Sequence, residues 1–184
     1  DLSYGATPEE WEAFASFNLR DLLPTVCDPN VRPTAKSSVT GELDKIPSRC
    51  KSTNANEGVG FLDWPNHVTT SYHDWAMDSR HGICMVTRTV HAFDIDIEDV
   101  ELSRKLEGSI REFLGIDGML LPRRTRKGSG KLAMLFRLSD GPEFLSHSKL
   151  IMPGGMGKME LLFHKQQLRV AGRHRSGARL EWPD

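Results

Sequence analysis

Two aspartates, Asp94 and Asp96, stand one residue apart inside the apolar run Phe93-Asp94-Ile95-Asp96-Ile97. Read as a strand, this run alternates its side chains between two faces. Phe93, Ile95 and Ile97 then turn to a core, and the two carboxylates share the other face. They would stand about 7 Å apart along the strand, from its rise per residue. Carboxylates held side by side repel unless a cation lies between them. Oxygen donors of this kind favour Mg²⁺ or Mn²⁺ over zinc. Such a pair is what proteins contribute to two-metal phosphoryl transfer. An amphipathic edge strand with a solvated face would show the same alternation, although aspartate is poor in strands and two of them in an apolar frame ask for a reason. Glu160, in Met159-Glu160-Leu161-Leu162, offers a third carboxylate on another apolar run, or simply a strand-end glutamate.

Charge is unevenly placed. Residues 94–101 hold five acids and no base, residues 122–131 five bases and no acid, and residues 163–175 four more bases. An acidic knot with two basic segments suits a metal site beside a polyanion site, and solvated loops would carry the same charges. In Arg126-Lys127-Gly128-Ser129-Gly130-Lys131, backbone N–H groups, a hydroxyl and an ammonium could meet phosphates. The spacing is not that of a Walker A loop. Arg123 and Arg124 precede it, and all four bases from Arg123 to Lys127 could follow template or primer phosphates. Gly172-Arg173-His174-Arg175-Ser176-Gly177 sets one histidine between two arginines, with glycines that allow close approach of a ligand. His67, His73, His81 and His91 show no metal-ligand spacing and read as surface or packing residues.

The elements that must carry these groups follow from periodicity. Thr7-Pro8-Glu9-Glu10 is a helix start with a capping box, and Trp11, Phe14, Ala15 and Leu19 continue it to about Leu22. Residues 24–60, rich in Pro and Gly, read as a long functional loop system. Residues 66–80 are expected to be helical. Ile83–Val86 and Val90–Ile97 read as strands around a short turn. Asp99 caps a helix whose stripe is Leu102, Leu106, Ile110 and Phe113, stopped by Gly115. Met119–Leu121 and Lys131–Leu138 read as strands joined by the basic loop 122–130. Residues 139–157 read as loop, and Lys158–Phe163 with Gln167–Val170 as a final hairpin. This order predicts an α+β chain with a largely antiparallel sheet.

The chain has 184 residues, 38% hydrophobic and 27% charged, with a net charge of −1. That length can bury a full core without staples. The balance excludes nucleic-acid binding by bulk charge alone. No apolar run is long enough for a membrane helix, and no secretory leader is visible, so no membrane partner is expected. Cys27, Cys50 and Cys84, an odd set without CxxC spacing, argue against a disulfide framework and a Cys-based zinc site. The expected location is the cytoplasm, of a bacterium or a phage-infected host cell.

Taken in order, these segments resemble the primase-polymerase (prim-pol) domain of the archaeo-eukaryotic primase superfamily, in particular the N-terminal domains of bifunctional primase/polymerases in phage and plasmid replication proteins. Phe93-Asp94-Ile95-Asp96 resembles that family's hDhD strand. Gly128-Ser129-Gly130-Lys131 resembles its small-residue turn before His or Lys, and Glu160 its later acidic residue. The segment Gly172–Gly177, Leu180-Glu181-Trp182-Pro183, Lys45-Ile46-Pro47 and Trp64 are similar to further positions. The likeness spans about residues 40–183 and leaves 1–39 unmatched.

The resemblance implies a modified RRM-like catalytic sheet, mostly antiparallel, packed with an N-terminal α/β unit. Residues 1–184 would form one domain, with helix, loops and α/β unit in 1–80 and the metal- and nucleotide-binding sheet in 81–184. It would be a fragment of a larger replication protein, in which a helicase domain often follows. The implied activity is template-dependent nucleotidyl transfer, as DNA primase and polymerase, from nucleoside triphosphates on a single-stranded DNA template with or without a primer. Asp94, Asp96 and Glu160 would be catalytic and hold two Mg²⁺ or Mn²⁺ ions. Ser129 and Lys131 would contact the triphosphate, and His174 would lie close to the nucleotide. Arg123, Arg124, Arg126, Lys127, Arg173 and Arg175 would contact DNA. Lys131 stands where the better-known motif has His. It can neutralise phosphate as a point charge but does not titrate near neutrality. A metal-dependent nuclease and a non-catalytic single-stranded DNA or origin-binding module are the rival readings.

Overall fold

The computed structural model describes residues 3–34, 42–116, 121–138 and 146–183. In chain order its elements are α1 (Pro8–Asn18), β1 (Leu22–Val26), β2 (Arg32–Pro33), β3 (Ser48–Cys50), β4 (Glu57–Gly60), α2 (His73–Ala76), β5 (His81–Val86) and β6 (His91–Ile97). There follow α3 (Val100–Phe113), β7 (Arg123–Arg126), β8 (Leu132–Phe136), β9 (Ser148–Ile151), β10 (Gly157–Leu162), β11 (Gln167–Ala171) and β12 (Leu180–Glu181). The chain is α+β: β2 pairs with β4 in parallel, and β1–β5, β5–β11, β3–β4, β6–β8, β7–β8, β6–β10 and β9–β10 are antiparallel. Among the described residues no helix is long and apolar enough to cross a membrane.

The chain divides into two units. The first holds Asp1–Thr87 and Lys165–Leu180, the second Arg88–His164 and Glu181–Asp184. In the first, Thr7 caps α1 with the full capping box: its hydroxyl accepts from Glu10 N–H, and Glu10 accepts from Thr7 N–H. The helix buries Trp11, which stacks on Tyr72 at 5.9 Å. A three-stranded sheet runs β1-β5-β11. Its central strand, His81-Gly82-Ile83-Cys84-Met85-Val86, is buried throughout, as expected for a strand covered on both faces. A second small sheet, β2-β4-β3, completes the unit.

Several expectations are corrected here. The stretch 24–60 is not one loop system: it holds most of β1 and all of β2, β3 and β4. Pro24 hid β1, yet β1 lies at the edge of its sheet, where a missing N–H is tolerated. Helix is confined to His73–Ala76 within 66–80. Upstream of it, Thr69 donates its hydroxyl to the Leu22 carbonyl and its N–H to the Arg20 carbonyl, bonds that replace a helical ladder. The expected final hairpin is absent among the described residues. β10 pairs with β6 and β9, and β11 pairs with β5 in the other unit's sheet.

The second unit is built on a six-stranded sheet of order β12-β7-β8-β6-β10-β9. Its four central strands, counted along the chain from β6, lie in the order second-third-first-fourth, and α3 connects first to second. One sheet face packs on α3. Ile95, Ile97, Leu132 and Met134 from the strands meet Ile110, with Phe93, Leu102, Leu106, Leu114 and Met159 around them. Asp99 caps α3 by accepting from Leu102 N–H. Phe113 is not part of the stripe; it is 87% exposed. Leu102, Leu106, Ile110 and Leu114 follow at four-residue spacing, and Phe113 falls off that line.

The basic segment is also corrected. Arg123–Arg126 is itself the strand β7, and only Lys127–Gly130 turns. Met119 and Leu120 lie outside the described residues. So do residues 139–145 of the expected 139–157 loop, and β9 occupies part of its remainder.

Candidate functional site

Strand register decides which groups meet. β6 and β10 are antiparallel, with Glu160 directly opposite Asp94 and Lys158 directly opposite Asp96. Opposed residues share a face, so Glu160 joins Asp94 and Asp96 on the side away from α3. On the other flank, Asp94 lies opposite Ala133 of β8, and Ala133 lies opposite Arg124 of β7. The same parity sorts the bases. Arg124 falls on the acidic face. Arg123 falls on the α3 face, where its Nε lies 3.4 Å from Glu107. Lys127 is exposed on the turn.

Each acid of the face has its own cation. Arg124 donates to Asp94 Oδ1 at 3.1 Å. Lys131 Nζ lies 2.8 Å from Asp96 Oδ1 and 3.0 Å from Glu98. Lys158 Nζ is paired with Glu160, and His147 Nε2 lies 3.7 Å from the same carboxylate. The Asp94 side chain keeps 26% of its surface exposed. Burial pushes its carboxyl above the usual carboxylate range; Arg124 draws it down, and the charges of Asp96 and Glu160 push it up again. Lys131 is held above its ordinary value, first by its hydrogen bond to Asp96 and also by Glu98. Lys158 is raised in the same way, mainly by its bond to Glu160.

The turn between β7 and β8 is tied to this face. Ser129 donates its hydroxyl to Glu98 at 2.8 Å and accepts from Arg126 and from the Lys131 N–H. That bond, with Lys131, holds the Glu98 carboxyl below its usual range. Gly130 N–H donates to the Glu98 carbonyl at 3.2 Å. A Cβ on Gly130 would sit 2.6 Å from that oxygen and 2.8 Å from the Ile97 carbonyl. Only glycine lets the turn close down on the end of β6.

The second unit therefore gathers Asp94, Asp96, Glu160, Arg124, Arg126, Ser129 and Lys131. His174, Arg173 and Arg175 belong to the first unit. There His174 Nδ1 accepts from Ser176 N–H, Arg173 donates to the Ser3 carbonyl, and Arg175 pairs with Glu42. Lys158, Glu98 and His147 complete the acidic face and were not singled out from sequence. Lys158 had a signal: it is two residues before Glu160 on the same strand, so it shares Glu160's face.

The oxygens of Asp94, Asp96 and Glu160 do not all lie within 4.8 Å of one another. Among the described residues the group that meets this criterion is Cys50, Asp78 and His81, in the first unit, and it could hold a metal ion. The sequence reading set Cys50 and His81 aside; Asp78 and His81 are three apart, but Cys50 joins them only through folding. His81 Nδ1 donates to the Trp75 carbonyl and Nε2 accepts from Cys50 N–H at 2.9 Å. Metal ligation through Nε2 would displace that bond. Burial depresses the His81 pKa and lifts the Cys50 thiol to about 12. Burial also pushes Asp78 up, but hydrogen bonds from Arg80 outweigh it and leave the carboxyl below its usual range. All three cysteines are free thiols.

No family model, curated protein or solved structure matches this chain.

Proposed function

We propose that this chain is a metal-dependent nucleotidyltransferase of the prim-pol kind, adding nucleotides from nucleoside triphosphates to a growing strand on a single-stranded DNA template. The observation that carries the reading is the β6–β10 register, which sets Glu160 opposite Asp94 and beside Asp96 on one sheet face. The donor chemistry suits a hard divalent cation, which would have to draw the three carboxylates together. All are carboxylate oxygens, and the upward push of Asp96 and Glu160 on Asp94 is a repulsion that such a cation relieves.

Asp94, Asp96 and Glu160 would hold Mg²⁺ or Mn²⁺, two ions in this reading. Bound there, such ions would supply charge neutralisation for the triphosphate and acidify the attacking 3′-hydroxyl. The chain's own part is positioning. Lys131 stands at the edge of the acidic face, able to turn from Asp96 to a phosphate oxygen. Ser129, on the same turn, fixes the backbone that presents it. Arg124 and Arg126 bring positive charge to the same side for the polyanion. The rate then comes from orientation and electrostatics rather than covalent chemistry.

The test is a single gel. Labelled nucleotides and a single-stranded template are incubated with the protein and Mg²⁺ or Mn²⁺, with and without primer. Extension supports the reading. Shortened DNA without added nucleotides makes the protein a nuclease. Metal-independent DNA binding with no incorporation makes it a binding module.

A further inference from the structure

The acids of the sheet are matched by bases from the same unit, and one of these, Lys158, has no role in the reading above. It lies on β10 directly opposite Asp96, two residues from Glu160, with which it is paired. Its side chain is one third exposed, whereas that of Glu160 is 15% exposed. The ammonium therefore sits against Glu160, within the field of Asp96 and Asp94, on a flexible stem with a route to solvent. A divalent cation bound by the same carboxylates places positive charge against this ammonium, and like charges at such range repel strongly when partly desolvated. Arg124, by contrast, is 13% exposed and held at Asp94 from β7, across Ala133 of β8. Lys131, 31% exposed at Asp96, is as free and already has a role toward the triphosphate; Lys158 is the other base able to leave.

We propose that Lys158 is a displaceable counter-ion: it neutralises Glu160 before metal binds, and metal entry releases it to bind substrate phosphate. The proposal rests on the metal-dependent reading above. It makes metal and nucleotide binding cooperative, since the cation that competes with metal becomes a ligand for the triphosphate. Lysine suits the task because its ammonium is a compact charge on four rotatable carbons.

The experiment is a titration with Mn²⁺ alone, read by the paramagnetic signal of the free ion, on wild type, Lys158→Met, Lys158→Arg and Asp94→Asn. A second titration follows a nucleoside triphosphate at saturating Mn²⁺. Lys158→Met is expected to bind Mn²⁺ about fivefold tighter, the size of one partly exposed ion pair. It should then bind the triphosphate about fivefold more weakly, and Lys158→Arg should restore both values. If Mn²⁺ binding is lost in Asp94→Asn but equal or weaker in Lys158→Met than in wild type, the counter-ion role is overturned and the metal site stands. If Asp94→Asn binds Mn²⁺ as wild type does, or wild type does not bind it, the metal site itself is overturned.

Discussion

Asp94→Asn is expected to make the protein more stable while removing its activity. Asp94 carries a charge in a half-buried place, opposite Glu160 and two residues from Asp96. Like charges at about 5 and 7 Å, with an effective dielectric near 20, cost about 3 and 2 kcal/mol. The Arg124 guanidinium at 3.1 Å returns about 5 kcal/mol on the same scale. These contributions nearly cancel and leave the desolvation of the carboxylate, which is also the largest cause of its raised pKa. Asparagine keeps an oxygen for Arg124 to donate to and carries no charge. The expected gain is about 1 kcal/mol near neutral pH, or about 2–4 °C in Tm for a chain of this size.

The sign with pH follows from the same shift. A carboxyl whose pKa is higher folded than unfolded binds more protons in the native state, so ionising it costs stability as pH rises. The advantage of Asp94→Asn therefore opens above the ordinary carboxylate range and closes in acid, where the wild-type group is also neutral. Urea denaturation of both proteins across pH 4–8, with and without Mg²⁺, measures it. Mg²⁺ should stabilise wild type and leave the variant unchanged. An Asp94→Asn protein less stable than wild type at every pH, with no response of either to Mg²⁺, would refute the reasoning and make Asp94 a structural partner of Arg124.

Gly130→Ala should destabilise the second unit by about 2 kcal/mol, because its Cβ would meet two backbone carbonyls at the end of β6; an unchanged urea midpoint would contradict the close approach. Thr7→Ala should cost about 1 kcal/mol through loss of the capping box, seen as a lower Tm. Burial keeps His81 neutral with a depressed pKa. Its contribution to stability is therefore full above an unfolded value of about 6.5 and lost as pH falls below it, and His81→Gln should flatten that part of the stability profile. Arg123→Ala should leave the affinity for single-stranded DNA unchanged, since Arg123 points to Glu107. Arg126→Ala should lower that affinity and reduce its salt dependence.

Most of what is local was legible in the sequence. The Thr7 cap, the Asp99 cap and the alternation of 93–97 each rest on a few neighbouring residues, and each stands as read. The site was legible to the extent that parity along one strand carries it: Asp94 and Asp96 had to share a face. That Glu160 falls opposite Asp94 depends on register between strands more than 60 residues apart, which no local pattern encodes. The basic strand β7 was read as a loop because arginines and a threonine show no apolar alternation. Its alternation is of partners instead, Arg123 toward Glu107 and Arg124 toward Asp94. The hairpin expected from β10 and β11 failed because adjacency in sequence favours pairing, whereas these strands complete two different sheets. Cys50, Asp78 and His81 meet only through the folding of β3 toward the start of β5, so their spacing carried no warning.

The decisive measurement is primer extension on a single-stranded template by wild type and Glu160→Gln, with Mg²⁺ or Mn²⁺. Glu160→Gln keeps the size of the side chain and one acceptor oxygen while removing its charge. Wild type is expected to incorporate nucleotides, and the variant to lose on the order of a thousandfold in rate while remaining folded. Incorporation by the variant at near wild-type rate would contradict the assignment of Glu160 and its two aspartate neighbours as the cation-binding centre.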